Sequence, residues 1–221
     1  MAQVHLTFDN GPDPEGTPLV LGTLRRWHAQ ATFFVLGKHL ATPTGRHLAL
    51  RIRDEGHRLG NHSYSHRIPL GDDPRPEAVQ EELERTQRLL DPIYSGPRLF
   101  RPFGGGGVLG PHLLSEASAQ WLEAGGHTCV LWNAIPEDWI DPHGWVDRAM
   151  RSLSVLDHGL IVLHDILPDA MTHLGDFLRR LMEAGHTLTD TFPPDCLPIV
   201  EGQRMPGAER YIRGDRARLG A

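Results

Sequence analysis

The sequence predicts an α/β domain built on about seven parallel strands. Two observations carry that prediction: short apolar runs recur along the chain, and amphipathic helical patterns fall between them. A third supports it, because several of the runs are apolar throughout, as strands covered on both faces are. Such a set of strands suits either an open doubly wound sheet or a barrel.

In chain order, VHLTF (4–8) is the first strand. TPLVLGTLRRWHA then places Leu21, Leu24 and Trp27 on one helical face. ATFFV (31–35) and HRLGNH (57–62) are the next two strands. PEAVQEELERTQRLL opens with Pro76 and Glu77, as helices do, and spaces Val79, Leu83 and Leu90 toward a core. LFRPF (99–103) is a strand, and HLLSEASAQWLEAGG is a helix that stops on glycines. HTCVLW (127–132), a helix in HGWVDRAMRSL, GLIVLHD (159–165), a helix in DAMTHLGDFLRRLMEAG and HTLT (186–189) complete the alternation. No repeat or linker divides residues 1–193, which read as one domain. Residues 194–221, rich in Pro, Gly and Arg, read as a tail that packs on the surface or is partly mobile.

Composition excludes several function classes. The net charge of -6 provides no basic surface for nucleic acid. No apolar run approaches the roughly 18 residues of a membrane span. The start, MAQVHLTF, shows neither the basic nor the apolar region of a secretory signal, which sets a cytoplasmic location as the expectation. Two cysteines, Cys129 and Cys196, make no disulfide framework, and mid-strand Cys129 reads as an inert buried thiol.

The unusual residues stand at the C-terminal ends of the strands, where active sites of barrels and open α/β sheets form. Asp9 and Asn10 follow the first strand, His62 and His66 the third, and Arg101 closes the fourth. Asp138 and Trp139 lie in the loop after the fifth, and His164 and Asp165 end the sixth. If HSYSH turns helical, its two imidazoles share a face about 6 Å apart, a spacing for two ligands of one Zn²⁺-like ion. Asp9 or Asn10 is the obvious supplier of a third ligand.

These residues resemble the polysaccharide deacetylase family (NodB homology, carbohydrate esterase family 4). Its five motifs stand here in order as TFDNGP (7–12), HSYSH (62–66), RPFGG (101–105), IPEDW (135–139) and VLHD (162–165). The resemblance runs from about residue 4 to 190. It implies an irregular (β/α) TIM-like barrel and metal-dependent removal of N-acetyl groups from acetylamino sugars of a glycan. It implies Asp9 as general base on an activated water and His164 as general acid, with Arg101 orienting Asp9 and Asp138 partnering His164. It makes Asn10, His62 and His66 ligands of a divalent metal, with Phe103, Gly104, Trp139 and Leu163 against the sugar. Zn²⁺ suits two imidazoles and one oxygen, as do Co²⁺ and Mn²⁺.

Three positions depart from the family pattern. Asn10 stands where a metal-binding acid is usual; its carbonyl can ligate without charge, so metal affinity is expected to be weaker. RPFGG has its proline one position early and Phe103 in its place. Ile135 replaces the first acid of the fourth motif. Two other readings stay open on these residues: a metal-independent, allantoinase-like hydrolase of a small cyclic amide or ureide, and a glycan-binding barrel that has lost its chemistry.

Overall fold

The computed structural model describes residues 1–214. Among the described residues there are eleven strands: β1 (Gln3–Asp9), β2 (Ala31–Val35), β3 (Arg58–Asn61), β4 (Leu99–Phe100), β5 (Leu114–Ser115), β6 (Thr128–Cys129), β7 (His158–His164), β8 (Thr187–Leu188), β9 (Ile199–Val200), β10 (Gln203–Arg204) and β11 (Ile212–Arg213). The main sheet runs β10-β9-β6-β4-β3-β2-β1-β7, with β8 added to the start of β1. Strands β1, β2, β3, β4, β6, β7 and β8 pair in parallel, and they are the seven apolar runs of the sequence. The chain after β6 continues across to β7, where Ala134 bridges Ile161, and this curls the sheet into an irregular barrel.

Period-two alternation sorts the side chains of each strand. On β1, Val4, Leu6 and Phe8 face outward into the layer beneath the helices. That layer also holds Leu21 and Leu24 of the helix Gly16–Arg26, Ile52 of Pro43–Asp54, Val146 of Trp145–Leu153 and Leu178 of Leu174–Glu183. The opposite parity, His5, Thr7 and Asp9, is buried inside the barrel. Trp27 ends outside its helix and is partly exposed. The sequence reading named no helix between β2 and β3, yet Gly37–Leu40 and Pro43–Asp54 occupy that interval. The latter buries only Leu48, Ala49 and Ile52 besides Gly45, and Arg46, Arg51 and Arg53 dilute its apolar stripe.

The tail expected from residue 194 onward requires correction. Strand β9 extends the main sheet antiparallel to β6, with Cys129 opposite Ile199. Strand β11 pairs with β5, and Cys196, Ile199, Ala208 and Ile212 are buried in the core. Upstream of them, Phe192 stacks on His5 at 4.5 Å, and the Thr191 carbonyl meets His5 Nδ1 at 3.1 Å. Thr191 and Phe192 therefore cover the lower end of β1, and residues 196–213 extend the sheet and core beside β6 and β5; 215–221 lie outside the described residues. No helix among the described residues is long and apolar enough to cross a membrane.

Replacing Ile199 by Ala is expected to cost about 3 kcal/mol in urea unfolding, the range for a truncated core isoleucine. A cost below about 0.5 kcal/mol, as for an ordinary surface site, would show that the tail only rests on the surface.

Candidate active site

A pocket of about 250 Å³ opens at the C-terminal ends of the strands. Asp9, Asn10, His62, His66, Phe103, Gly104, Trp139 and His164 all line it. The parallel register of β1 and β7 sets Asp9 directly beside His164.

Behind Asp9 lies Arg101, fully buried. Its Nη1 donates to Asp9 Oδ1 at 2.9 Å and to Thr7 Oγ1 at 2.6 Å. Nε and Nη2 donate to the carbonyls of Val130 and Leu131, and the guanidinium sits 4.2 Å from the centre of the Phe34 ring. A buried charge is tolerated only when paired and hydrogen-bonded, and Arg101 meets both conditions. Asp9 keeps Oδ2 on the pocket side, 3.7 Å from His62 Nε2.

Asp138 is also buried and grips His164 twice. Its Oδ1 lies 2.8 Å from His164 Nδ1, and its Oδ2 accepts the His164 backbone N–H at 2.8 Å. Nδ1 therefore carries the proton toward Asp138, and Nε2 is left for the pocket. Burial by itself lowers the His164 pKa, but the hydrogen bond and charge of Asp138, with the charges of Asp9 and Asp165, outweigh it and raise the pKa above the ordinary imidazole value. Trp139 stands edge-on to the ring at 5.1 Å.

His62 and His66 are the opposite case. Burial pushes both down to about 3, so both are neutral and present lone pairs. The Arg101 carbonyl is 2.8 Å from His62 Nδ1, which turns Nε2 toward Asp9. The two rings lie 4.9 Å apart, and Phe103 packs on His66 at 3.9 Å. Their approach does not come from a helix, as the i, i+4 spacing suggests. The HSYSH segment is an irregular turn with left-handed φ at Ser63 (67°) and His66 (56°). Asn10 (75°) and Glu137 (55°) share that unusual conformation at neighbouring strand ends. Each such residue costs on the order of 1–3 kcal/mol and persists only where its surroundings hold it.

Those surroundings contain a residue that the sequence reading passed over. Glu82 is buried on a π-helical stretch, Val79–Glu84. It accepts the N–H groups of Tyr64 and Ser65 at 3.0 and 2.7 Å and the Ser65 hydroxyl at 2.6 Å. The turn between the two histidines is thus clamped by a carboxylate. In the sequence, Glu82 is one of three acids among Glu81, Glu82 and Glu84, and only its burial separates it from the others.

One assignment changes. Leu163 faces the outer layer and is fully buried there, so it does not line the pocket; Val162 does. The reason is alternation: the residue sharing a face with His164 is two positions away. Asp165, which follows His164 at the end of β7, is fully buried. Its carboxylate accepts the Thr17 hydroxyl at the start of the helix Gly16–Arg26 and packs under Gly11, where a Cβ would come within 2.3 Å of its oxygens. Trp132 is pocket wall, while Trp145 is core. A Cβ on Gly104 would strike the Trp132 ring at 2.5 Å. Cys129 is buried, with its thiol pushed up to about 12.

The set fits a divalent metal. Asn10 Oδ1 is a buried acceptor without a hydrogen-bond partner among the described residues, and it shares the pocket with two neutral imidazoles. No group of three His, Cys, Asp or Glu among the described residues is arranged for a metal, because here the third donor is an amide.

The family profile described as polysaccharide deacetylase matches residues 2–118. The chain belongs to this family. It is 30% identical over 166 residues to a peptidoglycan-N-acetylglucosamine deacetylase of Bacillus cereus, covering 73% of this chain and 72% of that protein. It is 32% identical over 189 residues to the peptidoglycan-N-acetylmuramic acid deacetylase PdaC of Bacillus subtilis, covering 84% of this chain but 37% of the relative. The solved structure of PdaC superposes with a TM-score of 0.70 at 30% identity, over 85% of this chain and 86% of that one. A family 4 carbohydrate esterase from Streptomyces lividans, in complex with acetate, gives 0.70 at 27% identity, over 90% and 97%.

Replacing Asn10 by Asp adds a charge to the ligand set and is expected to tighten metal binding about tenfold, equivalent to about 1.4 kcal/mol. Isothermal titration of the metal-stripped proteins with Zn²⁺ measures it, and equal affinities would show that the amide binds as well as the acid.

Proposed function

We propose that the chain hydrolyses the N-acetyl groups of acetylamino sugars in a glycan, using a divalent metal, with Zn²⁺ as the metal that two imidazoles and one oxygen suit best. One observation carries this reading. A carboxylate tied to Arg101 and an imidazole hydrogen-bonded to Asp138 stand side by side on paired strands, facing one pocket. The peptidoglycan deacetylases that this chain resembles support the choice of substrate class.

An amide is hard to cleave because its nitrogen leaves poorly. The reaction therefore needs a base for the attacking water and an acid for the departing nitrogen. Asp9 Oδ2 takes a proton from water as the water oxygen bonds to the acetyl carbon. His164 Nε2 then gives its proton to the sugar nitrogen as the C–N bond breaks. Acetate and a free amine are the products. A divalent cation held by Asn10, His62 and His66 supplies polarisation of the carbonyl and a more acidic water. Apolar walls from Trp132, Trp139 and Val162 exclude bulk water and accommodate the acetyl methyl.

Incubation with acetylated chito-oligomers and added Zn²⁺ is expected to release acetate. Release should stop on chelation and in Asp9→Ala. Chelator-insensitive hydrolysis of a small cyclic amide instead would favour the ureide reading.

The raised pKa of His164 keeps the acid protonated toward higher pH, so activity is lost as pH rises through that value. Asp138→Asn removes the anion that raises it. The alkaline limb of the kcat profile should then move to lower pH, with kcat down by roughly 10²–10⁴-fold. An unmoved alkaline limb would show that His164 is not the acid.

A further inference from the structure

We propose that Lys38, Arg67 and Arg85 form an anion-binding subsite on the rim beside His66, which takes a carboxylate or phosphate group carried by, or next to, the sugar that is deacetylated. The inference rests on the glycan reading above and adds to it the chemistry of the substrate.

Missing charge partners and closeness to the His66 turn together set these residues apart; Arg26, Arg46, Arg151 and Arg210 also make no ion pair among the described residues, but none of them contacts that turn. The chain is acidic, with a net charge of -6. Most other described arginines are matched to carboxylates, as Arg51 is to Glu55, Arg75 to Asp73, Arg148 to Asp141, Arg179 to Glu183 and Arg204 to Glu116. Lys38, the only lysine in the sequence, makes no ion pair among the described residues, and neither do Arg67 and Arg85. All three are exposed.

They are also brought to one place. Backbone pairing joins Lys38 N to the Tyr64 carbonyl at 3.1 Å, and Lys38 Nζ reaches the Ser65 carbonyl at 3.4 Å. The Arg85 guanidinium lies 3.7 Å over the Tyr64 ring, a stacking that holds its plane while leaving its edge donors free. Arg67 directly follows His66. Glu82 is the nearest acid by contact with this turn, but its oxygens are taken by the Tyr64 and Ser65 N–H groups and the Ser65 hydroxyl. The carboxylate that fixes the platform is therefore turned inward, and the cations face out.

The pocket has an apolar wall as well. Trp132, Ile135 and Trp139 form it, and Trp139 is partly exposed. A glycan with its acetamido group between Asp9 and His164 thus meets an apolar wall in the pocket and the cations beside His66. Planar guanidinium and compact ammonium groups together suit an oxyanion.

The test compares kcat/KM for three acetylated substrates: a neutral chito-oligomer, an oligomer whose acetamido sugar bears an ether-linked carboxylic acid, and one carrying a phosphodiester. Wild type is set against the double variant Lys38→Gln/Arg67→Gln; Arg85, which packs on Tyr64, is left in place. Exposed charge pairs are individually weak, so the anionic-to-neutral ratio should fall roughly three- to tenfold, through KM, in the double variant. In wild type the same ratio should shrink as ionic strength rises. The anionic substrate whose ratio responds identifies the group recognised. An unchanged ratio for both anionic substrates overturns the proposal, and so does an equal loss on all three. If wild type turns over none of them, the glycan hydrolysis reading fails by itself. Calorimetric binding of the same oligomers then decides the subsite: it stands if wild type prefers an anionic oligomer and the double variant does not, and falls otherwise.

Discussion

The guanidinium of Arg101 sits at the centre of the barrel, and much of the site follows from the cost of keeping a charge there. A buried cation without partners is prohibitively unfavourable, so every direction around it is filled. Asp9 supplies the countercharge, Thr7 a hydroxyl, Val130 and Leu131 two carbonyls, and Phe34 an aromatic face. The two carbonyls belong to the chain just after β6, where Leu131 N donates to the Cys196 carbonyl. One side chain thus ties the first strand to the segment after β6, and the Asp9 carboxylate is positioned as part of the same network. Below it, His5 meets Thr32 at 2.9 Å and Phe192 covers its ring, so the polar column of β1 is satisfied to its lower end.

Above Arg101 the site divides into two electrostatic halves. On one side, His164 carries a buried carboxylate behind it and holds its proton more tightly than a free imidazole. On the other, His62 and His66 have no such carboxylate hydrogen bond and burial keeps them neutral. The same residue type thereby has its pKa raised in one half and lowered in the other. Asn10 belongs to the second half and brings an uncharged oxygen to it. The Glu82 clamp holds the strained turn that carries His66, which places a structural carboxylate close to the ligand set without adding it to that set.

Much of this was legible in the chain. The seven apolar runs are the seven parallel strands, because a strand buried on both faces has to be written in apolar residues. Residues that interrupt the apolar pattern at strand ends mark the site, since neither packing nor turn formation accounts for them all. Other features were hidden. Pro43–Asp54 carries a narrow apolar face among arginines and reads as loop. The turn at HSYSH has helical spacing without being a helix. Leu163 and Val162 are equally apolar, and only the parity of His164 on β7 tells which one faces the pocket.

The sequence by itself determined the kinds of side chain, their period and the strand ends on which they fall, because these depend on neighbours a few positions away. It thereby set the α/β class, the parallel strands, and an acid, an imidazole pair, an arginine and a second imidazole as the working parts. Tertiary structure decided which of those parts touch. The pairing of Asp9 with Arg101 spans 92 residues and that of Asp138 with His164 spans 26. Glu82 reaches a turn 17 residues upstream, and the last strands extend the sheet and core beside β6 and β5. Such contacts depend on sheet order and register, which arise only when burial of the whole core selects one arrangement of the strands.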